Sequence, residues 1–242
     1  MKRILCTILA CTIGVVTAAS LSACGCNDNK TPASQESKQA YEVVATQPDL
    51  KDDNFGFYIL NDKELMLTRY FGSASDVVVP DTFQNYTVTT IGHSVFNNKG
   101  IKTVVVPESV TDIQDYAFAS NKELTSVKLP SGLKHLGTNT FFYCSSLETI
   151  ELPASLEEIE PFAFCASGLK TIVIPESQTL TKLPQFMFHQ CPALQEVIIP
   201  ATITDIPDDC FSECPKTLKL KVAAGSFAEE YAKGNNLQYE AV

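Results

Sequence analysis

Cys144, Cys191 and Cys214 each stand three residues after a phenylalanine: Phe141, Phe188 and Phe211 in turn. A thiol can ligate a metal, close a disulfide, act as a nucleophile or pack as a small apolar group. No CxxC pair or histidine cluster accompanies these three, so a metal site is not expected of them. Two uses remain open. They are buried, stacked thiols, or Cys191 and Cys214, which hold one slot 23 residues apart, close a disulfide outside the cell. His93, His135 and His189 fall at three different offsets from the recurring phenylalanine, so the sequence does not bring them together.

No nucleophile, base and acid stand at a defensible spacing. There is no phosphate-binding glycine loop, no HExxH and no calcium loop. The expectation is no enzyme, no catalytic residue, no cofactor and no metal. Acidic residues outnumber basic ones 28 to 18, a formal charge of −10. That argues against nucleic acid, which needs clustered Lys and Arg.

The carboxylates resemble a catalytic reservoir until they are placed in register. Phe recurs at 96, 118, 141, 164, 188 and 211, and these rings define six coils. Five residues before each stands Ile91, Ile113, Leu136, Ile159, Leu183 or Ile206. Three before that stands Val88, Val110, Leu133, Leu156, Leu180 or Ile203. One position ahead of the first set, successive coils read Thr90, Asp112, His135, Glu158, Lys182 and Asp205. Acid alternates with His or Lys, which avoids like charges on neighbouring strands about 4.8 Å apart. This is a structural ladder and not an acid–base pair.

After each Phe comes Ile101, Leu124, Leu147, Leu169, Leu194 or Leu218. Most of these open an LxxLxL run such as Leu124–Val127–Leu129, and Pro closes the runs at 80, 107, 130, 153, 175 and 200. Such a run ends in period 2, the mark of a short strand with one buried face. Proline then removes a backbone donor and ends the strand. One coil buries too little to fold alone, so the coils must stack.

The stretches "VPESVTDIQDYAFASNKELTSVKLP" and "LPASLEEIEPFAFCASGLKTIVIP" resemble the BspA-type, or Treponema pallidum-type, leucine-rich repeats. The resemblance implies a β-rich leucine-rich repeat solenoid of about six stacked coils of 22–27 residues, here over residues 77–222. It implies an N-terminal β-hairpin cap at 51–76 and a C-terminal helix and strand cap at 223–242. Ser226 followed by Glu229 is a capping-box signature, and Gly234 a helix stop.

The chain begins with Lys2 and Arg3, an apolar run too short to span a bilayer, and Leu21–Ser22–Ala23–Cys24. The tetrapeptide resembles the lipobox of bacterial lipoproteins. That implies a signal peptide over 1–23, lipid attachment at Cys24 and an exported chain on the outer face of the cytoplasmic membrane or cell surface. Residues 24–50 read as a flexible tether.

On the strand side, the residues expected to face outward are Val78, Val105, Lys128, Glu151, Val173 and Ile198. Lys128 and Glu151 are adjacent and would pair. Val105, Val173 and Ile198 reflect either ordinary β-propensity or a stripe that binds a partner. The functional expectation is a monomeric, membrane-anchored surface module for adhesion or protein recognition. Its partner would be an extracellular protein or a cell-wall glycan, held by Val105, Lys128, Glu151, Val173 and Ile198. The alternative is an envelope scaffold that holds another exported protein or wall polymer.

Overall fold

The apolar positions of each coil converge on a single column of rings. Phe96, Phe118, Phe141, Phe164, Phe188 and Phe211 stack with centroids 5.3 to 5.9 Å apart and planes within 12° of parallel. Tyr70 closes the column at one end, 5.2 Å from Phe96, and Tyr231 at the other, 6.2 Å from Phe211. The computed structural model describes residues 47–242. The signal peptide, Cys24 and the tether as far as residue 46 lie outside the described residues. Among the described residues, no helix is long and apolar enough to cross a membrane.

Three sides surround the column. The first begins with the N-terminal cap, where β1 (Leu50–Lys51), β2 (Phe55–Ile59) and β3 (Glu64–Tyr70) form an antiparallel meander. Strand β3 then pairs in parallel with β6 (Tyr86–Ile91), and β5 (Thr82–Phe83) makes a hairpin on β6. The sheet continues through β8 (Asp112–Ile113), β10 (His135–Leu136) and β11 (Glu158–Ile159). The cap is thus continuous with the return side of the coils, and its exposed strand edge becomes the template for the first repeat.

The second side carries the LxxLxL runs. Here β4 (Asp76–Val78), β7 (Thr103–Val105) and β9 (Ser126–Lys128) form one parallel sheet. A second sheet holds β12 (Thr171–Val173), β13 (Glu196–Ile199), β14 (Lys219–Val222) and β15 (Gln238–Ala241). Between them, residues 149–151 form no strand. The strand side is therefore two sheets and not one unbroken face. The cause lies underneath. Val104, Val106, Ile172 and Ile174 are buried, whereas Val127, Leu129 and Leu152 are only partly buried. Less apolar contact holds coils 2 and 3 at ladder distance, and the sheet opens there.

The third side has no strands, yet it is the most regular. Ser94, Tyr116, Asn139, Phe162 and Phe186, two before each of the first five Phe, have φ between 56° and 62°. Asn98, Ser120, Tyr143, Ala166, Gln190 and Glu213, two after, have φ between 53° and 61°. Left-handed residues that alternate with right-handed ones turn every second peptide group along the stack. Phe96 N–H donates to Ala117 O, Phe118 N–H to Thr140 O, Phe141 N–H to Ala163 O, Phe164 N–H to Met187 O and Phe188 N–H to Cys210 O. Two flanking chains of bonds run beside it, one from Ser94 through Tyr116, Asn139 and Phe162, the other from Asn98 through Ser120, Tyr143, Ala166 and Gln190. Bulky residues rarely adopt this backbone, at a cost of about 1–2 kcal/mol each. The three hydrogen-bonded chains hold them there.

One turn position is fixed by close approach. Gly168 lies so near coil 3 that a β-carbon would stand 2.1 Å from Ser145 O. At the C terminus, α1 (Phe227–Gly234) is capped by Ser226, whose Oγ accepts from Glu229 N at 3.3 Å, while Glu229 Oε2 accepts from Gly225 N at 2.7 Å. Half of the capping box read from the sequence is therefore present: Ser226 caps the helix, but Glu229 turns back to Gly225 N–H, and Ser226 N–H donates to Ala223 O. Helix α1 leads into β15, which extends the strand side.

Candidate functional site

The strand side presents Val78, Val105 and Val173 to solvent, with relative exposures of 70%, 36% and 54%. Val78 and Val105 are neighbours in register, as are Val173 and Ile198. Ile198 is only half-buried, and it lies opposite Lys221 on β14, whose Nζ reaches Glu196 at 3.0 Å. Lys128 and Glu151 are both exposed, but they do not pair. Glu151 sits in the segment between the two sheets, so no ladder aligns it with Lys128. The five residues predicted as a site therefore fall into two groups, Val105 with Lys128 and Val173 with Ile198, on either side of the break at Glu151.

The charge ladder of the return side holds its predicted register. Thr90 pairs with Asp112, Asp112 with His135, and His135 with Glu158, while Lys182 bridges to Asp205. His135 is the exception to simple alternation. Its Nδ1 lies 3.3 Å from Asp112 Oδ2, and its Nε2 lies 3.7 Å from Glu160 Oε1. Asp112 first and Glu160 second stabilise the imidazolium, against the opposing effect of burial, and raise its pKa from 6.5 to about 10. The second oxygen of that aspartate carboxylate, Asp112 Oδ1, is enclosed and has no hydrogen-bond partner. Ligand atoms of His135, Glu158 and Glu160 all lie within 4.8 Å of one another. Sequence reasoning missed Glu160. It is two residues beyond Glu158 on the same strand face, and period 2 was the signal that points to it.

The other two histidines are elsewhere. His93 stacks on Tyr116 with centroids 5.7 Å apart, and burial lowers its pKa against the pull of Asp115. His189 Nδ1 meets Ser212 Oγ at 2.8 Å.

The thiols form a ladder of their own. Cys144 donates to Phe118 O at 3.3 Å, Cys191 to Phe164 O at 3.1 Å and Cys214 to Phe188 O at 3.0 Å, each one coil back. Asn121 fills the same slot in coil 2. Its Nδ2 donates to Phe96 O and Phe118 O, and its Oδ1 accepts from Lys99 N and Ile101 N. All five described cysteines are free thiols, Cys191 and Cys214 included. Burial pushes Cys144 and Cys214 up to about 12.

A column of stacked rings, parallel strands of three or four residues and tandem coils of about 23 residues define a leucine-rich repeat solenoid. Residues 89–218 match the BspA type leucine rich repeat region in six copies, and the chain belongs to that family. It is similar in fold to the T. pallidum leucine-rich repeat protein TpLRR, at 20% identity and TM-score 0.61 over 80% of this chain and 99% of that one. It is similar to a leucine-rich cell surface protein of Faecalibacterium prausnitzii, at 26% identity and TM-score 0.62, over 74% of this chain and 55% of that one. It is also similar in fold to the pneumococcal vaccine antigen PcpA, at 18% identity and TM-score 0.61, over 77% of this chain and 47% of that one. The chain thus spans about half the length of the last two. No curated protein matches it.

Proposed function

We propose that this chain is a lipid-anchored surface protein that binds an extracellular protein through the strand side of its solenoid. The observation that carries the reading is the solvent exposure of Val78, Val105 and Val173 where the other outward residues of the strand side are mostly polar or charged. Exposed apolar side chains on a rigid sheet supply contact area at low entropic cost. The family supports a protein-binding module, and the similarity to a cell surface protein supports an exported location. Lipid attachment at Cys24 rests on the sequence Leu21–Ser22–Ala23–Cys24.

Size limits the mode of binding. Strands three residues long give a face about 10 Å deep. Seven strands and the strandless segment between the two sheets, about 4.8 Å apart, give a span of about 34 Å. That area is well below the roughly 800 Å² per partner of a standard interface. Binding through this face alone is weak, and many anchored copies raise its strength by avidity.

The test uses the chain displayed on lipid vesicles at varied density against arrayed extracellular-matrix proteins and glycans. Saturable, density-dependent binding that is lost in Val105→Asp/Val173→Asp supports the reading. A variant that is folded and binds as well as the parent overturns the assignment of the face.

A further inference from the structure

We propose that His135, Glu158 and Glu160 bind a divalent transition-metal ion, of the zinc class, across coils 3 and 4 on the return side of the solenoid. Three ligand atoms of suitable type lie within 4.8 Å of one another, one from coil 3 and two from coil 4. His135 Nε2 and Glu160 Oε1 are 3.7 Å apart. A charge-assisted hydrogen bond draws such a pair to about 2.7–2.9 Å. Two ligands each about 2.1 Å from one tetrahedral ion stand about 3.4 Å apart. The observed gap leaves room for one ion between the two ligand atoms.

The surroundings add a second observation. His135 Nδ1 faces Asp112 Oδ2 at 3.3 Å, the position of the outer carboxylate that orients a metal-bound histidine. Charge balance points the same way. Elsewhere on the return side acids pair one to one with lysines, Lys134 with Glu157 at 3.0 Å and Lys182 with Asp205 at 3.8 Å. At the cluster a single imidazole faces Asp112, Glu158 and Glu160. Position 137 is glycine, so no side chain stands one coil before Glu160 in its column. An imidazole beside carboxylates suits zinc-class ions rather than calcium or magnesium, which prefer oxygen alone. The ion takes the place of the ring proton, which leaves to solvent, and water completes its coordination. The chemical role is a cross-link between coils and involves no reaction.

Full-length protein in detergent, stripped with EDTA, is titrated with Zn²⁺ against a chromophoric chelator. Glu160→Gln, Asp112→Asn and the off-site control Glu157→Gln are run beside it. Thiols near the N terminus contribute equally to all four, so the difference between chains is the readout. The expected result is one zinc equivalent weakened at least about 100-fold in Glu160→Gln and about 10–100-fold in Asp112→Asn, with Glu157→Gln unchanged. Zinc also raises the melting temperature of the parent but not of Glu160→Gln. Melting curves in EDTA establish that each variant folds, and Glu158→Gln replaces any that does not. Identical isotherms for parent and Glu160→Gln, or no zinc bound by the parent, overturn the proposal.

Discussion

Phe118 and Phe141 stack with ring centroids 5.5 Å apart and planes 6° from parallel, in the middle of the ring column. Both are fully buried, and each ring touches the next coil on either side. Phe141→Ala therefore removes packing from three coils at once. We expect it to lower unfolding stability by about 3–5 kcal/mol, and Phe141→Leu by less. Urea denaturation followed by circular dichroism measures both. A loss below about 1 kcal/mol for Phe141→Ala would mean that the column does not hold the coils together.

Asn121 is fully buried and ties coil 1 to coil 2 through both ends of its amide. Asn121→Ala leaves Ile101 N–H without a partner, while Lys99 N–H, Phe96 O and Phe118 O each keep one other bond. An unsatisfied buried group costs about 1–3 kcal/mol. We expect a loss of at least about 1 kcal/mol. Asn121→Cys should lose less, because cysteine in this slot donates to the preceding coil at Cys144, Cys191 and Cys214. Equal losses for the two variants would sink the account of this slot.

Ala166 and Gly168 lie two residues apart and make opposite demands. Ala166 has φ of 55°, where a β-carbon is disfavoured. Ala166→Gly should leave stability unchanged or raise it by up to about 1 kcal/mol. Gly168→Ala drives a β-carbon against the Ser145 carbonyl, so backbone must move, at a cost of about 2 kcal/mol or more. Thermal melting of the pair gives the answer. A stabilising Gly168→Ala would contradict the close approach.

The thiols predict a response to alkali. Burial raises Cys144 from its ordinary value near 9.0 to about 12, so the folded state holds the proton more tightly than the unfolded state. This contribution to stability is complete below about pH 9 and is lost as pH rises toward 12. Cys144→Ala should flatten the decline in stability between those limits. Native alkylation by iodoacetamide at about pH 8 should be at least about 100-fold slower than in urea. Dithiothreitol should leave the melting temperature unchanged. A fall on reduction would reveal a bond between Cys191 and Cys214.

Much of this fold was legible because its period is written in large apolar side chains. Phe96 through Phe211 gave the coil boundaries, and Asp112, His135 and Glu158 fell into register on alternation alone. The C-terminal end was legible through the Ser226 cap. The left-handed positions were not. Tyr116, Phe162 and Phe186 carry no glycine or asparagine signal, and their backbone is set by hydrogen bonds to neighbouring coils. The break at Glu151 was hidden too, because it depends on how deeply Val127 and Leu152 pack and not on which residues they are. Of the candidate sites, the exposure of Val105 and Val173 was readable from period 2. Glu160 was overlooked because the alternation of charge was read one position wide.

The chains of hydrogen bonds on the third side give the solenoid an electrical sense. In a β-ladder, neighbouring peptide groups point in opposite directions and their dipoles cancel. Here every peptide group in the three chains aims its N–H toward the C-terminal end, so the dipoles add along the stack as they do along a helix. The first coil, at the negative end, carries His93, Asn98 and Lys99. The last coil, at the positive end, carries Asp208, Asp209 and Glu213. The two ends of the array are therefore not interchangeable, and added coils would lengthen the field as well as the core.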